Sequence, residues 1–281
     1  MTAMREGSVL CLDPHGFHRM RYTEWGDPHN PRVLVCVHGL TRNGRDFDYL
    51  AGRLCDAYRV VCPDVAGRGR SDWLRDPKDY TYSAYLNDMA VLLASLHADT
   101  VDWLGTSMGG TFGMLLAALP GSPIRKLVLN DIGSVIPKAA LQRISQYVGK
   151  EPTFDSLEAF EATMRDFSPF GELTAEQWRH LAINVAKQDE QGRWRARYDP
   201  GIAINFNESI AADVDLRSYW NTLHGPVLVI RGADSDLLLP ATLEEMCRRP
   251  RTETLVVPRT GHAPMLMDDF QVGAVRHFLL T

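Results

Sequence analysis

Six short apolar runs recur along the chain, at Val33–Val37, Tyr58–Cys62, Val101–Leu104, Ile124–Leu129, Val227–Ile230 and Thr254–Val257. None alternates polar with apolar residues, so each reads as a strand buried on both faces, the pattern of a parallel sheet covered by helices. Segments of helical character fall between them, at Asp46–Leu54, Ser83–Leu96, Thr111–Leu119, Ala241–Arg248 and Asp269–Leu280. Strands alternating with helices predict an α/β fold, with a mostly parallel twisted sheet flanked by helices. Ahead of them, Ser8–Leu12 and His18–Trp25 predict an antiparallel pair joined by the turn Asp13–Pro14–His15–Gly16.

The alternation stops between about Ser134 and His224, where two amphipathic helices replace any strand pattern. Asp155–Phe167 opens with a D-x-x-E capping signal and sets Leu157, Phe160, Met164 and Phe167 on one face. Thr174–Lys187 opens with T-x-x-Q and aligns Trp178, Leu181, Ala182 and Val185. A chain of 281 residues is near the upper size for a single core. One domain with a helical insertion is therefore expected, its core formed by residues 1–133 and 223–281 and the insertion by 134–222. The insertion is rich in aromatics, among them Trp194 and Tyr198, which are candidates to line a substrate pocket.

A net charge of −5 with mixed signs leaves no basic footprint for nucleic acid. The N-terminal residues carry no signal-peptide pattern, and no run of about eighteen apolar residues offers a membrane span. The expectation is an unexported, cytoplasmic protein acting on a small molecule. The five cysteines show no C-x-x-C spacing, and Cys11, Cys36 and Cys62 lie inside apolar runs, which predicts buried reduced thiols. His15 and His18 form an H-x-x-H at a hairpin turn without a third ligand, so no metal is expected.

The chemistry centres on Ser107. The run Val101–Leu104 leads into Gly105–Thr106–Ser107–Met108–Gly109, a G-x-S-x-G pattern followed by the helical segment Thr111–Leu119. Strand, sharp turn and helix in that order hold a serine at a strained apex with its hydroxyl in a cleft. The Met108 N–H, at the start of the helix, then faces developing negative charge. A serine hydroxyl needs a base, and the base needs an acid to fix its tautomer. Of nine histidines, His262 lies in a loop after the strand Thr254–Val257, at the sheet's carboxyl end, where open α/β sheets place their sites. For the acid, Asp234 and Asp236 follow Val227–Ile230, and Asp131 follows Ile124–Leu129; residue chemistry alone leaves all three open. A second oxyanion donor is available at Leu40, in the loop His38–Gly39–Leu40–Thr41–Arg42 after Val33–Val37. Arg42 beside it is a candidate for a substrate carboxylate, and His38 reads as structural.

With these pieces in chain order, the sequence resembles the α/β-hydrolase superfamily along nearly its whole length. The resemblance rests on His38–Gly39, the D-x-x-G-x-G-x-S segment Asp64–Ser71, the serine motif from Gly105, the acidic loop near Asp236 and Gly261–His262. It implies Ser107 as nucleophile, His262 as base, Leu40 and Met108 as backbone oxyanion donors, and the insertion as a cap. It also implies Asp236 as the acid, because relatives carry an Asp about four residues before a helix opener, here Pro240. The implied activity is hydrolysis of a small carboxylic ester or lactone through an acyl-enzyme, with no metal or organic cofactor. One alternative is a hydrolase of C–C bonds in vinylogous diketone acids. Such relatives often carry Asn before the serine and Trp after the histidine, where this chain has Thr106 and Ala263. A second alternative is a non-catalytic receptor on the same fold. Dehalogenase and epoxide hydrolase chemistry is disfavoured, since those relatives have Asp at the position of Ser107.

Overall fold

The computed structural model describes residues 4–281. Eight strands form the main sheet: β1 (Arg5–Asp13), β2 (Gly16–Trp25), β3 (Val33–Val37), β4 (Arg59–Pro63), β5 (Val101–Thr106), β6 (Ile124–Asn130), β7 (Val227–Gly232) and β8 (Thr252–Val257). Their spatial order is β1-β2-β4-β3-β5-β6-β7-β8. The pairs from β4 through β8 are parallel, while β1 and β2 are antiparallel to each other and β2 is antiparallel to β4.

Because successive side chains of a strand point to opposite faces, the central runs feed two cores. Val33, Val35 and Val37 of β3 pack with Trp103, Leu127 and Val229 on one face. Helices α2 (Tyr82–Ser95), α3 (Met108–Ala117) and α9 (Pro240–Cys247) cover that side, through Met89, Phe112 and Met246. Leu34 and Cys36 pack with Val60, Leu104, Val128 and Ile230 on the other face, beneath α1 (Asp48–Leu54) and α10 (Asp269–Leu280). Truncating a wholly buried leucine such as Leu34 or Leu104 to Ala would cost about 2–5 kcal/mol. Cys11, Cys36 and Cys62 are buried, as their apolar runs predict, whereas Cys247 is exposed.

Two expectations change. The run at Thr254–Val257 is not covered on both faces: β8 is an edge strand, and Val256 is half exposed. His18, read as a turn histidine, is buried between β1 and α2, with Nε2 2.9 Å from Asp88 Oδ2 and Nδ1 3.2 Å from Asp13 Oδ2. Burial opposes its protonation, but the two carboxylates outweigh burial and raise its pKa.

Between β6 and β7 the chain adds no strand to the main sheet. It forms α4 (Lys138–Ser145), α5 (Leu157–Phe167), α6 (Ala175–Val185), α7 (Ala203–Glu208) and α8 (Arg217–Thr222). The expected cap of α6 is present: the Thr174 side chain accepts from Gln177 N–H while the Gln177 side chain accepts from Thr174 N–H. The cap of α5 is Ser156, one residue later than the D-x-x-E signal suggests. The segment also holds two short strand pairs, Val135–Ile136 with Val214–Asp215 and Ala186–Gln188 with Trp194–Ala196. Strands of two or three residues are too short to leave a periodic signal, which is why the sequence showed only helices there.

Candidate functional site

Ser107 joins β5 to α3 with φ +52° and ψ −117°, a left-handed backbone that costs an L-residue energy and is held by its surroundings. Two glycines make the turn feasible. A Cβ on Gly105 would collide with the Gly109 backbone, and one on Gly109 would collide with the Val37 carbonyl of β3. The Ser107 N–H donates to Asn130 O at 3.0 Å. Asn130, at the end of β6, also donates through Nδ2 to Thr106 Oγ1 (2.9 Å) and Pro264 O (2.8 Å), tying the serine turn to the histidine loop.

His262 follows β8 and lies 2.9 Å from Ser107 Oγ through Nε2. Its Nδ1 is 2.8 Å from Asp131 Oδ2. A carboxylate only accepts, so Nδ1 carries the proton and Nε2 is the acceptor facing the serine hydroxyl. Ser107 and His262, expected together, are together.

The acid beside His262 is Asp131, and here the structure corrects the sequence reading. Asp131 has φ +55° directly after β6, which turns its side chain across the gap toward β7. It is wholly buried and accepts Gly232 N–H on Oδ1 (2.9 Å) and the Ser235 hydroxyl on Oδ2 (2.6 Å), besides the imidazole. Ser235 thus fills the loop position between the two earlier candidates, leaving Asp234 and Asp236 outside. Both are exposed. Asp236 forms a two-pronged ion pair with Arg143 of α4, at 2.5 and 2.8 Å. Partial burial would raise its pKa, but the Arg143 hydrogen bonds and charge outweigh that and hold the carboxyl below its usual range.

The loop after β3 lies against the serine: a Cβ on Gly39 would sit 3.7 Å from Ser107 Cβ. Leu40 is in this turn, closed by Arg42 N–H to Gly39 O at 3.2 Å. Met108 is the first residue of α3, so its N–H has no intrahelical acceptor. His38 is structural, as expected. It is wholly buried, Nε2 accepts Val65 N–H at 2.9 Å, Nδ1 meets Gly39 O at 2.7 Å, and burial pushes its pKa down to about 3.

The substrate-binding candidates are occupied otherwise. Arg42 forks onto Asp46 at 2.8 and 2.6 Å, with Nη1 3.6 Å from Met164 Sδ and the guanidinium over the Phe170 ring, so it ties the β3 loop to the 134–222 segment. Trp194 packs with Leu157, Phe160 and Val185 inside that segment's own small core. Tyr198 is buried, its hydroxyl accepting Gly149 N–H at 3.3 Å. Sequence reasoning missed Asn130 and Ser235, which carry no motif and acquire their contacts only when β6, β7 and the histidine loop meet.

The segment also reaches the histidine loop: Gly261 N–H, next to His262, donates to Pro169 O at 2.7 Å in the α5–α6 connection. Among the described residues, no helix is long and apolar enough to cross a membrane.

A family model for the alpha/beta hydrolase fold matches residues 32–269. Over 98% of this chain and 97% of the relative, the sequence is 49% identical to a 3-hydroxybutyrate-oligomer hydrolase of Cupriavidus necator. A 2-(acetamidomethylene)succinate hydrolase of Mesorhizobium japonicum is 26% identical over 82% of this chain and 81% of its own. The solved structure of an α/β hydrolase from Novosphingobium aromaticivorans superposes with a TM-score of 0.90 at 35% identity, covering 100% of this chain and 99% of that one. Sheet order, serine turn and sequence similarity agree, and the chain belongs to the α/β hydrolase fold family.

Proposed function

We propose that the protein is a serine esterase that cleaves the ester bonds of short 3-hydroxybutyrate oligomers, with Ser107, His262 and Asp131 as its catalytic triad. The observation that carries this reading is the continuous relay from Ser107 Oγ through His262 to Asp131, with hydrogen bonds of 2.9 and 2.8 Å. The substrate class draws on the 49% identity to the Cupriavidus necator enzyme across nearly both full lengths.

In this mechanism His262 Nε2 takes the Ser107 proton as Oγ attacks the ester carbonyl. The oxyanion is received by the N–H groups of Leu40 and Met108, the latter at the positive end of α3. Asp131 keeps Nδ1 protonated and stabilises the imidazolium. Collapse expels the hydroxyl end of the departing unit, which takes its proton from His262 and leaves a 3-hydroxybutyryl ester on Ser107. Water, deprotonated by the same imidazole, releases the acid and restores the serine. Residues 134–222 serve as the cap over this site, with the Pro169–Gly261 contact and the Arg42–Met164 contact as its points of closure.

The test is release of 3-hydroxybutyrate from its dimer and trimer by purified protein, with p-nitrophenyl acetate as a generic ester and the Ser107→Ala variant as control. The variant is expected to lose about 10⁴- to 10⁶-fold in kcat. Full turnover by the variant would sink the acyl-enzyme. Hydrolysis of the generic ester without the oligomers would retain the chemistry and overturn the substrate.

A further inference from the structure

Arg68 lies in the middle of the Asp64–Ser71 loop, between Gly67 and Gly69. Its side chain is wholly buried, and no carboxylate among the described residues lies within ion-pair distance of it. The guanidinium is instead held by neutral groups. Nε donates to Leu40 O at 2.8 Å, and Nη1 donates to Ala66 O at 2.7 Å and to the Tyr85 hydroxyl at 2.6 Å. Nη2 reaches Met108 Sδ at 3.8 Å, and the group stacks over the Tyr85 and Tyr80 rings, 4.8 and 5.8 Å from their centroids.

A buried charge without a counter-ion is costly, and carbonyls and rings stabilise a cation without cancelling its field. The two residues this cation touches outside its own loop and the tyrosines are Leu40 and Met108. These are the residues whose N–H groups receive the oxyanion in the proposed mechanism. We infer that Arg68 is a positioning residue of the oxyanion hole: by gripping the Leu40 carbonyl it fixes the peptide after Leu40, and with it the path of the turn that carries the Leu40 N–H toward the substrate oxygen. The same guanidinium leaves positive potential behind the hole, met only when the tetrahedral intermediate forms. The assignment rests on the acyl-transfer reading above.

The grip acts on a short turn. The Gly39–Leu40 peptide, which carries the Leu40 N–H, is held by Arg42 N–H and His38 Nδ1 on Gly39 O, and Arg68 on Leu40 O holds the next peptide, so both peptides flanking Leu40 are fixed. Arg68 is itself fixed by its loop: Arg68 N–H donates to Val65 O at 2.9 Å, and Gly69 N–H to Arg197 O at 3.0 Å. Asp64 anchors the same loop by accepting the Gly44 and Arg70 N–H groups, each at 2.8 Å.

The experiment compares wild-type protein with Arg68→Met and Arg68→Lys on p-nitrophenyl acetate and the 3-hydroxybutyrate dimer. Rates are normalised to sites titrated by a fluorophosphonate. Affinity is measured for a boronic acid, which forms an anionic tetrahedral adduct on a serine, and for 3-hydroxybutyrate as a ground-state ligand. In Arg68→Met, kcat per titrated site is expected to fall about 10- to 100-fold with KM within about threefold, and boronate affinity to fall in parallel while 3-hydroxybutyrate affinity holds. Arg68→Lys keeps the charge but not the fork, so its loss is expected to be smaller in the same ratio.

An Arg68→Met protein whose kcat and boronate affinity stay within about threefold of wild type overturns the assignment. So does one that loses boronate and 3-hydroxybutyrate affinity equally, because that is the mark of a merely disturbed pocket. If Arg68→Met does not fold, Arg68→Gln, which also removes the charge, takes its place and is judged by the same two criteria. A wild-type protein that reacts with neither fluorophosphonate nor ester overturns the acyl-transfer reading itself, whereas an unchanged Arg68→Met overturns this assignment alone.

Discussion

Two carboxylates follow adjacent strands of the sheet, Asp131 after β6 and Asp236 after β7, and their surroundings are opposite. Asp131 is wholly buried, and its oxygens accept a backbone N–H, a serine hydroxyl and the His262 imidazole. Asp236 keeps 48% of its side chain exposed and meets Arg143, itself 39% exposed. The difference teaches what an acid partner of histidine requires. A carboxylate orients an imidazole when its own position is overdetermined and water is excluded, conditions that the β6–β7 gap meets and the loop surface does not.

The comparison breaks or holds first on activity. Asp131→Asn is expected to lower kcat about 10³- to 10⁴-fold, because an amide cannot hold His262 in the required tautomer, while Asp236→Asn changes it by less than about threefold. Ester-hydrolysis kinetics on the two variants decide the matter, and the reverse order of losses would return the role to Asp236.

Stability sharpens it next. Ser235 Oγ donates to Asp131 and accepts the N–H groups of Leu237 and Leu238, both at 3.2 Å. Ser235→Ala leaves these buried partners short of hydrogen bonds and is expected to cost about 1–3 kcal/mol in denaturant unfolding. Loss of the exposed Arg143–Asp236 pair is expected to cost about 1 kcal/mol or less, since water and salt screen it. A Ser235→Ala protein as stable as wild type would contradict the view that the Asp131 site is built by its hydrogen bonds.

The smallest effect is a pH dependence. The folded-state pKa of Asp236 is depressed, so its contribution to stability is present above the unfolded carboxylate value of about 3.9 and fades as pH falls through the folded value. The Tm difference between wild type and Asp236→Asn is therefore expected to be constant at neutral pH and to shrink below about pH 4. A difference that instead grew on acidification would reverse the sign of this pairing.

The contrast also explains what was legible beforehand. Ser107 and the β3 loop were readable because their geometry is local: a strand, two glycines that must approach other backbone, and a helix start occupy a few consecutive residues. His262 was readable because it follows a strand in a short loop. Asp131 was visible as one of three candidates at strand ends. Nothing within ten residues of it says that φ +55° will carry its side chain across to Gly232, Ser235 and His262. The partners of Arg42 and Tyr198 were no more legible: an arginine or tyrosine beside a loop gives no sign in the sequence of whether Asp46 or Gly149 will hold it.

The amino-acid sequence by itself determined the alternation of buried strands and helices, the serine turn and the order of reactive groups, since periodicity and backbone sterics act over short stretches of chain. Only the tertiary structure decided which acid faces the imidazole, which strand lies at the edge and which cation lies behind Leu40. Those outcomes depend on contacts between residues up to 131 positions apart, and on which groups reach the low-dielectric interior once the strands have paired.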